Sequence, residues 1–515
     1  MKRVKRVLAL LAAFALVLAM AVPAFADGAT TYQLKVKASG TNHTYNVYQI
    51  FSGEMSTNEA EAKVLSNIKW GANGTGKTGD TVEKSILTAL ESATGSDSQK
   101  LAVIMNYVKL DTSVFATLNS ENNYAANVPA GYYLVKDEDN TLNGKDEAYT
   151  TFLVNVVGEN VELTPKSAKP SVNKFVQDEA ADRDIHSTDG NGWGETADHA
   201  INESFKFKLT ATLPPDVNFG AYSTYKVQFT DTMSEGVTFE SIDKVTVDGK
   251  NVTDYVCTAT PDQAGGKWTL TINDIKNISD VNLNDGAEIV VVYKAHLNEK
   301  AHVNHENGAT TNENKVYLEY SNNPNASGSG ELGKTPEENV WVFTYEVDNT
   351  KVKGNTENEP LAGAGFRLYQ DDKCSQEVAL IFDTTLKAYR PTKTGETGVE
   401  MKSAEGTGKF DIVGLDAGVY YMRETTTPTG YNTCDDVRIV INASHEKTES
   451  GGNNVTFTKS GENASNLTNT IINNAGTTLP STGGMGTTVF YVVGGGLMAV
   501  AVVLLVTKKR MENKR

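Results

Sequence analysis

The feature that most restricts the fold of this chain is an alternation of apolar and polar residues with a period of two. Phe205, Phe207 and Leu209 are separated by single lysines, and the same spacing recurs at Trp268 and Leu270 and in several other segments. Successive side chains of a β-strand point to opposite faces, so this pattern predicts half-buried antiparallel strands. The chain is therefore expected to be all-β and built of tandem immunoglobulin-like β-sandwiches.

Composition divides the chain into segments. Stretches rich in Pro, Ser, Asn and Gly at residues 164–170 and 321–330 indicate linkers. Helical spacing is clear only near residues 85–91 and 99–107, which predicts helices inserted into the first domain. The expected boundaries are 1–26 for a signal peptide, 27–168, 169–332 and 333–476 for three β domains, and 477–515 for a C-terminal anchoring segment.

Both ends of the chain carry targeting features. A basic start and an apolar stretch precede Ala24-Phe25-Ala26, which is typical of a secretory signal peptide and its cleavage site. Near the other end, a polar motif is followed by the uncharged segment 489–506 and by a basic tail that begins at Lys508. That segment is just long enough to cross a bilayer as a transmembrane helix, with the tail on the cytoplasmic side. The polar motif consists of Leu479, Pro480, Ser481, Thr482 and Gly483.

This C-terminal order resembles the LPxTG sorting signal of Gram-positive surface proteins. The resemblance implies that a sortase transpeptidase cleaves between Thr482 and Gly483 and transfers the threonine acyl group to an amine. It also implies a secreted protein anchored to peptidoglycan on the bacterial surface, held only transiently in the membrane by the C-terminal helix.

The charge balance excludes nucleic acid as an expected partner. The chain has 47 Lys and Arg against 64 Asp and Glu, a formal net charge of −17, and no basic cluster lies between the targeting segments. Phosphate neutralisation needs clustered Lys and Arg. His302 and His305 form an H-x-x-H without further ligands, and the loop at Asp189 departs from the EF-hand pattern at Trp193 and Ala200, so no metal or cofactor is predicted.

The chain contains three cysteines, Cys257, Cys374 and Cys434. An extracellular location permits disulfides, and three cysteines allow at most one bridge within the chain. Cys374 and Cys434 fall within one predicted domain, which predicts a disulfide between them. Three buried free thiols are the alternative.

Two motifs stand out in the third domain. Residues 358–369 contain Pro-Leu-Ala-Gly-Ala-Gly-Phe, and residues 420–431 contain Tyr-Tyr-Met-Arg-Glu-Thr-Thr-Thr-Pro-Thr-Gly-Tyr. Together they resemble the prealbumin-like CnaB sandwich of Gram-positive adhesins and pilins, with Met422 in place of the usual Leu of the YxLxExxxPxGY box. The resemblance implies an isopeptide bond between a Lys of the first strand and an Asn of the last, assisted by Glu424 of the box.

Strand parity points to the same residues. Lys351 continues the parity of the apolar positions that precede it, and Glu424 shares the parity of Tyr420, so both side chains are predicted to point inward. Burial lowers the pKa of an amine and raises that of a carboxyl group, which places a neutral nucleophile beside a proton donor. The expected partner is Asn473, with Asn474 open as a second choice. A buried Lys–Glu salt bridge without a covalent bond is the alternative.

A second set lies in the middle domain. Alternation along three predicted strands places one polar residue of each on the inward face. These residues are Lys174 on the first strand, Asp231 on a middle strand and Asn314 on the last strand. Their order and local sequences resemble the isopeptide-forming CnaA-like middle domain of backbone pilins, which implies a Lys174–Asn314 bond assisted by Asp231. An ion pair with a hydrogen-bonded asparagine is the alternative. No comparable set is assigned in the first domain.

Lys166 closes the first domain in the sequence Val-Glu-Leu-Thr-Pro-Lys, and alternation predicts that it is exposed. The sequence resembles the VxVYPK-like pilin motif, with Leu163 and Thr164 in place of Val and Tyr. The resemblance implies that Lys166 accepts the sortase-bound threonine of another subunit. Lys169, on the same linker, is the competing acceptor.

The whole chain resembles a sortase-assembled major pilin. The resemblance implies a structural protein, not an enzyme, whose identical subunits join head to tail from Thr482 to Lys166. The implied partners are a pilin-class sortase, a cell-wall sortase, accessory pilins, peptidoglycan and host surface ligands. The alternative is a monomeric cell-wall-anchored adhesin, which would need the sorting signal but not Lys166.

Overall fold

The fold is described from a computed structural model of the chain. The structure describes residues 30–37, 43–58, 61–92, 101, 103–165, 169–178, 192–215, 219, 222–259, 265–283, 286–304, 312–324, 330–354, 359–447, 453–459, 462–464, 467–476 and 486–512. The predicted signal peptide, Lys166 and the motif 479–483 therefore lie outside the described residues.

The first unit consists of two sheets that enclose a core around Leu34, Tyr45 and Tyr133. Its strands are β1 Thr31–Val36, β2 Tyr45–Thr57, β3 Lys63–Trp70, β4 Ala116–Leu118, β5 Ala125–Pro129, β6 Gly131–Asp137, β7 Thr151–Val156 and β8 Val161–Leu163. One sheet has the order β5-β1-β8, and the other has the order β3-β2-β6-β7 with β4 paired to β2. Short 3-10 helices span Met105–Tyr107 and Ser120–Asn122.

Helical segments follow strand β3, as the sequence predicted. Helix α1 spans Lys84–Glu91. Leu101, residues 103–104 and the 3-10 turn after them are helical too, and Ile104 is buried against Trp70 and neighbouring apolar residues. These segments cover the outer face of the second sheet, so they give the first unit a second small core.

The middle unit is a sandwich of two larger sheets. Its strands are β9 Ser171–Gln177, β10 Trp193–Gly194, β11 Thr196–Asp198, β12 Ser204–Leu213, β13 Val227–Met233, β14 Val237–Val247, β15 Lys250–Asn251, β16 Val256–Ala259, β17 Gly266–Ile272, β18 Ala287–Leu297, β19 Glu313–Ser321, β20 Leu332–Lys334 and β21 Glu338–Phe343. The first sheet has the order β10-β9-β12-β18-β14-β15. The second has the order β11-β21-β19-β13-β17-β16, with β20 paired to β19. Short 3-10 helices span Thr253–Tyr255 and Ile275–Asn277.

Strand β21 places the end of the middle unit later than the sequence suggested. It pairs with β19 and β11, so the middle sheet continues to Phe343, past the boundary expected at residue 332. Its side chains alternate between two cores, because Val340 and Val342 pack in the middle unit while Trp341 and Phe343 pack in the third. One strand therefore ties the two units together.

The third unit is also a sandwich. Its strands are β22 Tyr345–Lys353, β23 Gly365–Tyr369, β24 Glu377–Val378, β25 Leu380–Asp383, β26 Ala388–Pro391, β27 Met401–Lys402, β28 Ile412–Leu415, β29 Gly418–Thr426, β30 Val437–Ile441, β31 Ala443–Lys447, β32 Asn453–Lys459, β33 Glu462–Ala464 and β34 Thr468–Asn473. The sheet orders are β25-β26-β28-β22-β34, β24-β23-β29-β30 with β27 on β23, and β31-β32-β33. The first and last long strands, β22 and β34, run parallel as direct neighbours.

The chain ends in helix α2, Gly486–Glu512. Within it, Tyr491–Met511 is apolar and long enough to cross a membrane, with a mean hydropathy of 1.9 and no burial against the rest of the chain. The predicted class, all-β units followed by one C-terminal apolar helix, is confirmed.

Candidate functional site

The middle unit brings together the three polar residues that parity selected. Lys174 lies on β9 in one sheet, whereas Asp231 on β13 and Asn314 on β19 lie in the other. The side chains meet in the core between the sheets, and all three residues are buried. A link between Lys174 and either partner would therefore join the two sheets of the sandwich.

Tyr293 connects this set. Lys174 Nζ forms an ion pair with Asp231 Oδ2 and donates a hydrogen bond to the Tyr293 hydroxyl oxygen at 3.1 Å. The same hydroxyl donates to Asp231 Oδ2 at 3.1 Å and accepts from Asn314 Nδ2 at 2.6 Å. Lysine, acid and asparagine thus share one phenol oxygen. Tyr293 was assigned no role from the sequence, although the alternation along β18 already indicates that its side chain points inward.

Burial changes the proton affinities of the middle set. It lowers the pKa of Lys174 to about 8, against the attraction of Asp231. It also raises the pKa of Asp231, although the ion pair with Lys174 opposes that change. Both shifts favour the neutral amine and the protonated acid. A neutral amine beside an asparagine amide is the arrangement that amide exchange requires.

The third unit brings together the corresponding residues. Lys351 on β22 is fully buried, and its Nζ donates to the carbonyl oxygen of Ile471 on β34 at 3.0 Å. Asn473 on the same strand donates through Nδ2 to Glu424 Oε1 at 2.6 Å. Burial lowers the pKa of Lys351, against the attraction of the Cys434 and Glu424 side chains. Parallel pairing of β22 with β34 thus places the lysine and the asparagine on adjacent strands.

The structure distinguishes the two candidate asparagines. Asn473 is buried and contacts Glu424, whereas Asn474 is exposed and its carbonyl oxygen accepts from Asn432 N–H. Asn473 is therefore the one that faces the core. Its Oδ1 atom is buried without a hydrogen-bond partner among the described residues.

The predicted disulfide is wrong in this structure, where Cys374 and Cys434 are free thiols. The Cys374 thiol points to Asp436, at 3.8 Å from its Oδ2 atom. The Cys434 backbone N–H instead donates to Glu424 Oε2 at 2.8 Å, and its thiol interacts electrostatically with Lys351 and Glu424. Shared domain membership did not reveal that the two thiols have different surroundings.

The segment before Lys166 follows the predicted alternation. Strand β8 pairs in parallel with β1, Glu162 and Thr164 are exposed, and Pro165 is buried. Lys169, the competing acceptor, forms an ion pair with Asp146 and donates to its backbone oxygen at 3.0 Å. This amine is therefore engaged within the chain.

Comparisons with known proteins agree with this architecture. Residues 346–459 match the prealbumin-like fold domain named SpaA, and residues 471–513 match the LPXTG cell wall anchor motif. The chain is similar to the trypsin-resistant surface T6 protein of Streptococcus pyogenes serotype M6, at 26% identity over 408 residues, covering 67% of this chain and 70% of that protein. It is also similar to the fimbrial subunit type 2 of Actinomyces naeslundii, at 25% identity, covering 69% of this chain and 63% of that protein.

Among solved structures, the T6 backbone pilin of serotype M6 Streptococcus pyogenes has a similar fold. The TM-score is 0.51 at 19% identity, and the match covers 88% of this chain and 100% of that one. That structure is described as a modular three-domain structure, which agrees with the three β units seen here. The prealbumin-like domain, the LPXTG anchor motif and the similarity to these pilin relatives together support a sortase-assembled backbone pilin with a cell-wall anchor.

Proposed function

We propose that the chain is the shaft subunit of a covalent surface fibre in which Thr482 of one copy is joined to Lys166 of the next. A pilin-class sortase would form each junction, and a cell-wall sortase would attach the base to peptidoglycan. A head-to-tail junction of this kind joins two different surfaces of the subunit. Repeated without closing into a ring, it produces a filament. Accessory pilins and host ligands would be partners of the finished fibre.

The alternation along β8 supports Lys166 as the acceptor. Exposed residues occupy positions 162 and 164, which fits the sequence prediction that Lys166 continues the same alternation. Lys169 is less suited because its amine is already paired with Asp146 within the chain. A sortase acyl-enzyme needs an accessible amine that can lose its proton.

The observation that carries the rest of the proposal is the presence of two buried Lys–acid–Asn sets. In each set, the lysine Nζ would attack the asparagine Cγ, the new amide C–N bond would form, and the side-chain nitrogen would leave as ammonia. Asp231 or Glu424 would carry the proton from the attacking amine to the leaving nitrogen. The products would be a Lys174–Asn314 bond and a Lys351–Asn473 bond.

Such bonds would protect the shaft against force. Lys174 lies on the first strand of the middle unit and Asn314 on a late strand, and Lys351 and Asn473 lie on the first and last long strands of the third unit. Tension that enters one strand would leave through the covalent link. The hydrogen-bonded ladders would then not have to resist unzipping.

The intact mass of the exported chain tests this internal chemistry. The chain is extracted with detergent from a strain that lacks the sortases, so each molecule remains a single polypeptide. Each bond releases one ammonia, about 17 Da, so we expect a deficit of about 34 Da against the mass of the polypeptide. A mass without any deficit would refute both bonds, whereas the proposed intersubunit junction would remain to be tested separately.

The Tyr293 hydroxyl should speed bond formation in the middle unit. Tyr293→Phe keeps the ring contacts with Phe207 and Trp268 but removes the oxygen that contacts all three reacting groups. One hydrogen bond to a charged group is worth about 1.5–3 kcal/mol, so we expect bond formation to slow about tenfold to a hundredfold. Time-resolved intact mass of chain newly synthesised in a cell-free system, which starts without the bonds, measures the rate. Tyr317→Phe, a surface change on β19, is the control and should have the wild-type rate.

A further inference from the structure

A buried cluster joins the middle and third units through side chains that bind metals elsewhere. Asp178 follows β9 and Asp198 ends β11, whereas His445 lies on β31 of the third unit. Their ligand atoms all lie within 4.8 Å of one another, and all three residues are buried. The cluster shares no residue with either Lys–acid–Asn set, although Asp178 lies only four positions after Lys174.

The local contacts orient these groups toward one another. His445 Nδ1 lies 2.9 Å from the Thr196 hydroxyl oxygen, and the imidazole stacks on the Phe343 ring. Its Nε2 atom faces Asp198 Oδ2 at 3.7 Å. A histidine that binds a metal through one ring nitrogen usually makes a hydrogen bond through the other. With Nδ1 on Thr196, Nε2 is the ring nitrogen that faces Asp198 and would be the ligand atom.

Tyr345 adds a fourth polar side chain to the cluster from the start of β22. Its hydroxyl donates to Asp198 Oδ2 at 2.8 Å, and the Asp198 backbone N–H lies 3.5 Å from Asp178 Oδ2. The two buried carboxyl groups have oxygens within 4.8 Å of each other, an arrangement in which two ionised carboxylates would repel. A divalent cation between them would compensate both charges and would accept the imidazole lone pair at the same time.

We propose that Asp178, Asp198 and His445 bind one divalent transition-metal ion that fastens the middle unit to the third. The separation of 3.7 Å between His445 Nε2 and Asp198 Oδ2 is close to the spacing of about 3.4 Å between two ligands of a tetrahedral ion with bonds of about 2.0–2.1 Å. Two carboxylates and one imidazole suit Zn²⁺ or Mn²⁺. Calcium is the poorer match because it selects oxygen ligands.

The ion would act at the junction between the middle and third units. Strand β11 pairs in parallel with β21, and β21 contributes side chains to the cores of both units. Lys447 Nζ, on the same strand as His445, also reaches Glu195 Oε1 of the middle unit at 2.8 Å. An ion held by ligands from both units would add a strong, orientation-specific link to this junction. The proposal does not depend on the isopeptide bonds.

Calorimetric titration of the detergent-extracted chain, stripped with a chelator, tests the site with ZnCl₂, MnCl₂ and CaCl₂. We expect one Zn²⁺ or Mn²⁺ per chain, weaker binding of Ca²⁺, and a higher unfolding temperature in the bound form. His445→Gln and Asp198→Asn should each lower the affinity at least tenfold. His296→Gln, which removes a surface histidine that pairs with Glu240, is the matched control and should bind as the wild type does.

A spectroscopic measurement keeps the test decisive if the variants fail to fold. Co²⁺ added to the stripped wild-type chain should give the visible absorption of a nitrogen- and oxygen-bound ion, and Zn²⁺ should remove it by competition. Absence of stoichiometric binding in the wild type overturns the proposal. So does unchanged binding in a folded His445→Gln variant. A junction whose stability responds to pH but to none of the metals would show that protons, and not a metal, neutralise the cluster, which also overturns it.

Discussion

Replacing Lys166 with arginine is expected to abolish the ladder of covalently joined subunits on denaturing immunoblots of wall extracts, leaving single units. Arginine preserves the length and the positive charge of the side chain. Its guanidinium group stays protonated at any pH at which the protein is folded, so it cannot attack a threonyl acyl-enzyme. The variant therefore removes the nucleophile while the surface of the first unit keeps its charge.

Lys169→Arg is the matched control, three positions along the same linker. It keeps the charge that pairs with Asp146, and the ladder should persist in this variant. A ladder that persists in Lys166→Arg and disappears in Lys169→Arg would assign the junction to the other lysine. Single units in the wild type would instead support a monomeric wall-anchored adhesin. The three results differ in which strain forms multimers, so one blot separates them.

Strand parity accounts for what the sequence could predict of the site. A residue two, four or six positions from a buried strand residue lies on the same face, so Lys174, Asp231, Lys351 and Glu424 were each identifiable from their own strand. All four are buried in the structure. The lysines and acids were informative because charged residues rarely occupy inward positions without a partner.

Contacts between distant strands account for what the sequence could not predict. Several strands carry inward aromatic residues, and parity alone does not show that Tyr293 is the one beside Lys174. The choice of Asn473 over Asn474 depends on the register of β34 against β22. The proposed metal ligands lie on segments that only the docking of two units brings together. The cysteine prediction failed for the same reason, because pairing requires a distance that spacing does not supply.

The second large effect is expected from Lys351→Met, which removes the proposed bond of the third unit without leaving an unpaired buried charge. Methionine has an unbranched side chain that can occupy much of the volume of the lysine stem. The bond would close a loop slightly longer than the 120 positions between Lys351 and Ile471. The loop-closure estimate for such a crosslink is about 5 kcal/mol, so the free energy of unfolding of this unit should fall by about that amount.

Two measurements on the same sample separate the crosslink from ordinary packing. The intact mass of Lys351→Met should show a deficit of about one ammonia, 17 Da, instead of two, because only the middle unit can still react. Thermal unfolding should show a less stable third unit. Lys353→Met, on the same strand but ion-paired with Glu359 near the surface, should keep both ammonia deficits and the wild-type stability.

If Lys351→Met retained the wild-type deficit, Lys351 would not be the nucleophile. Lys351→Met could instead show the expected single ammonia deficit while the free energy of unfolding of the third unit stays at the wild-type value. That result would mean that the non-covalent packing of β22 against β34 already holds the unit together, and that the bond acts only under mechanical load.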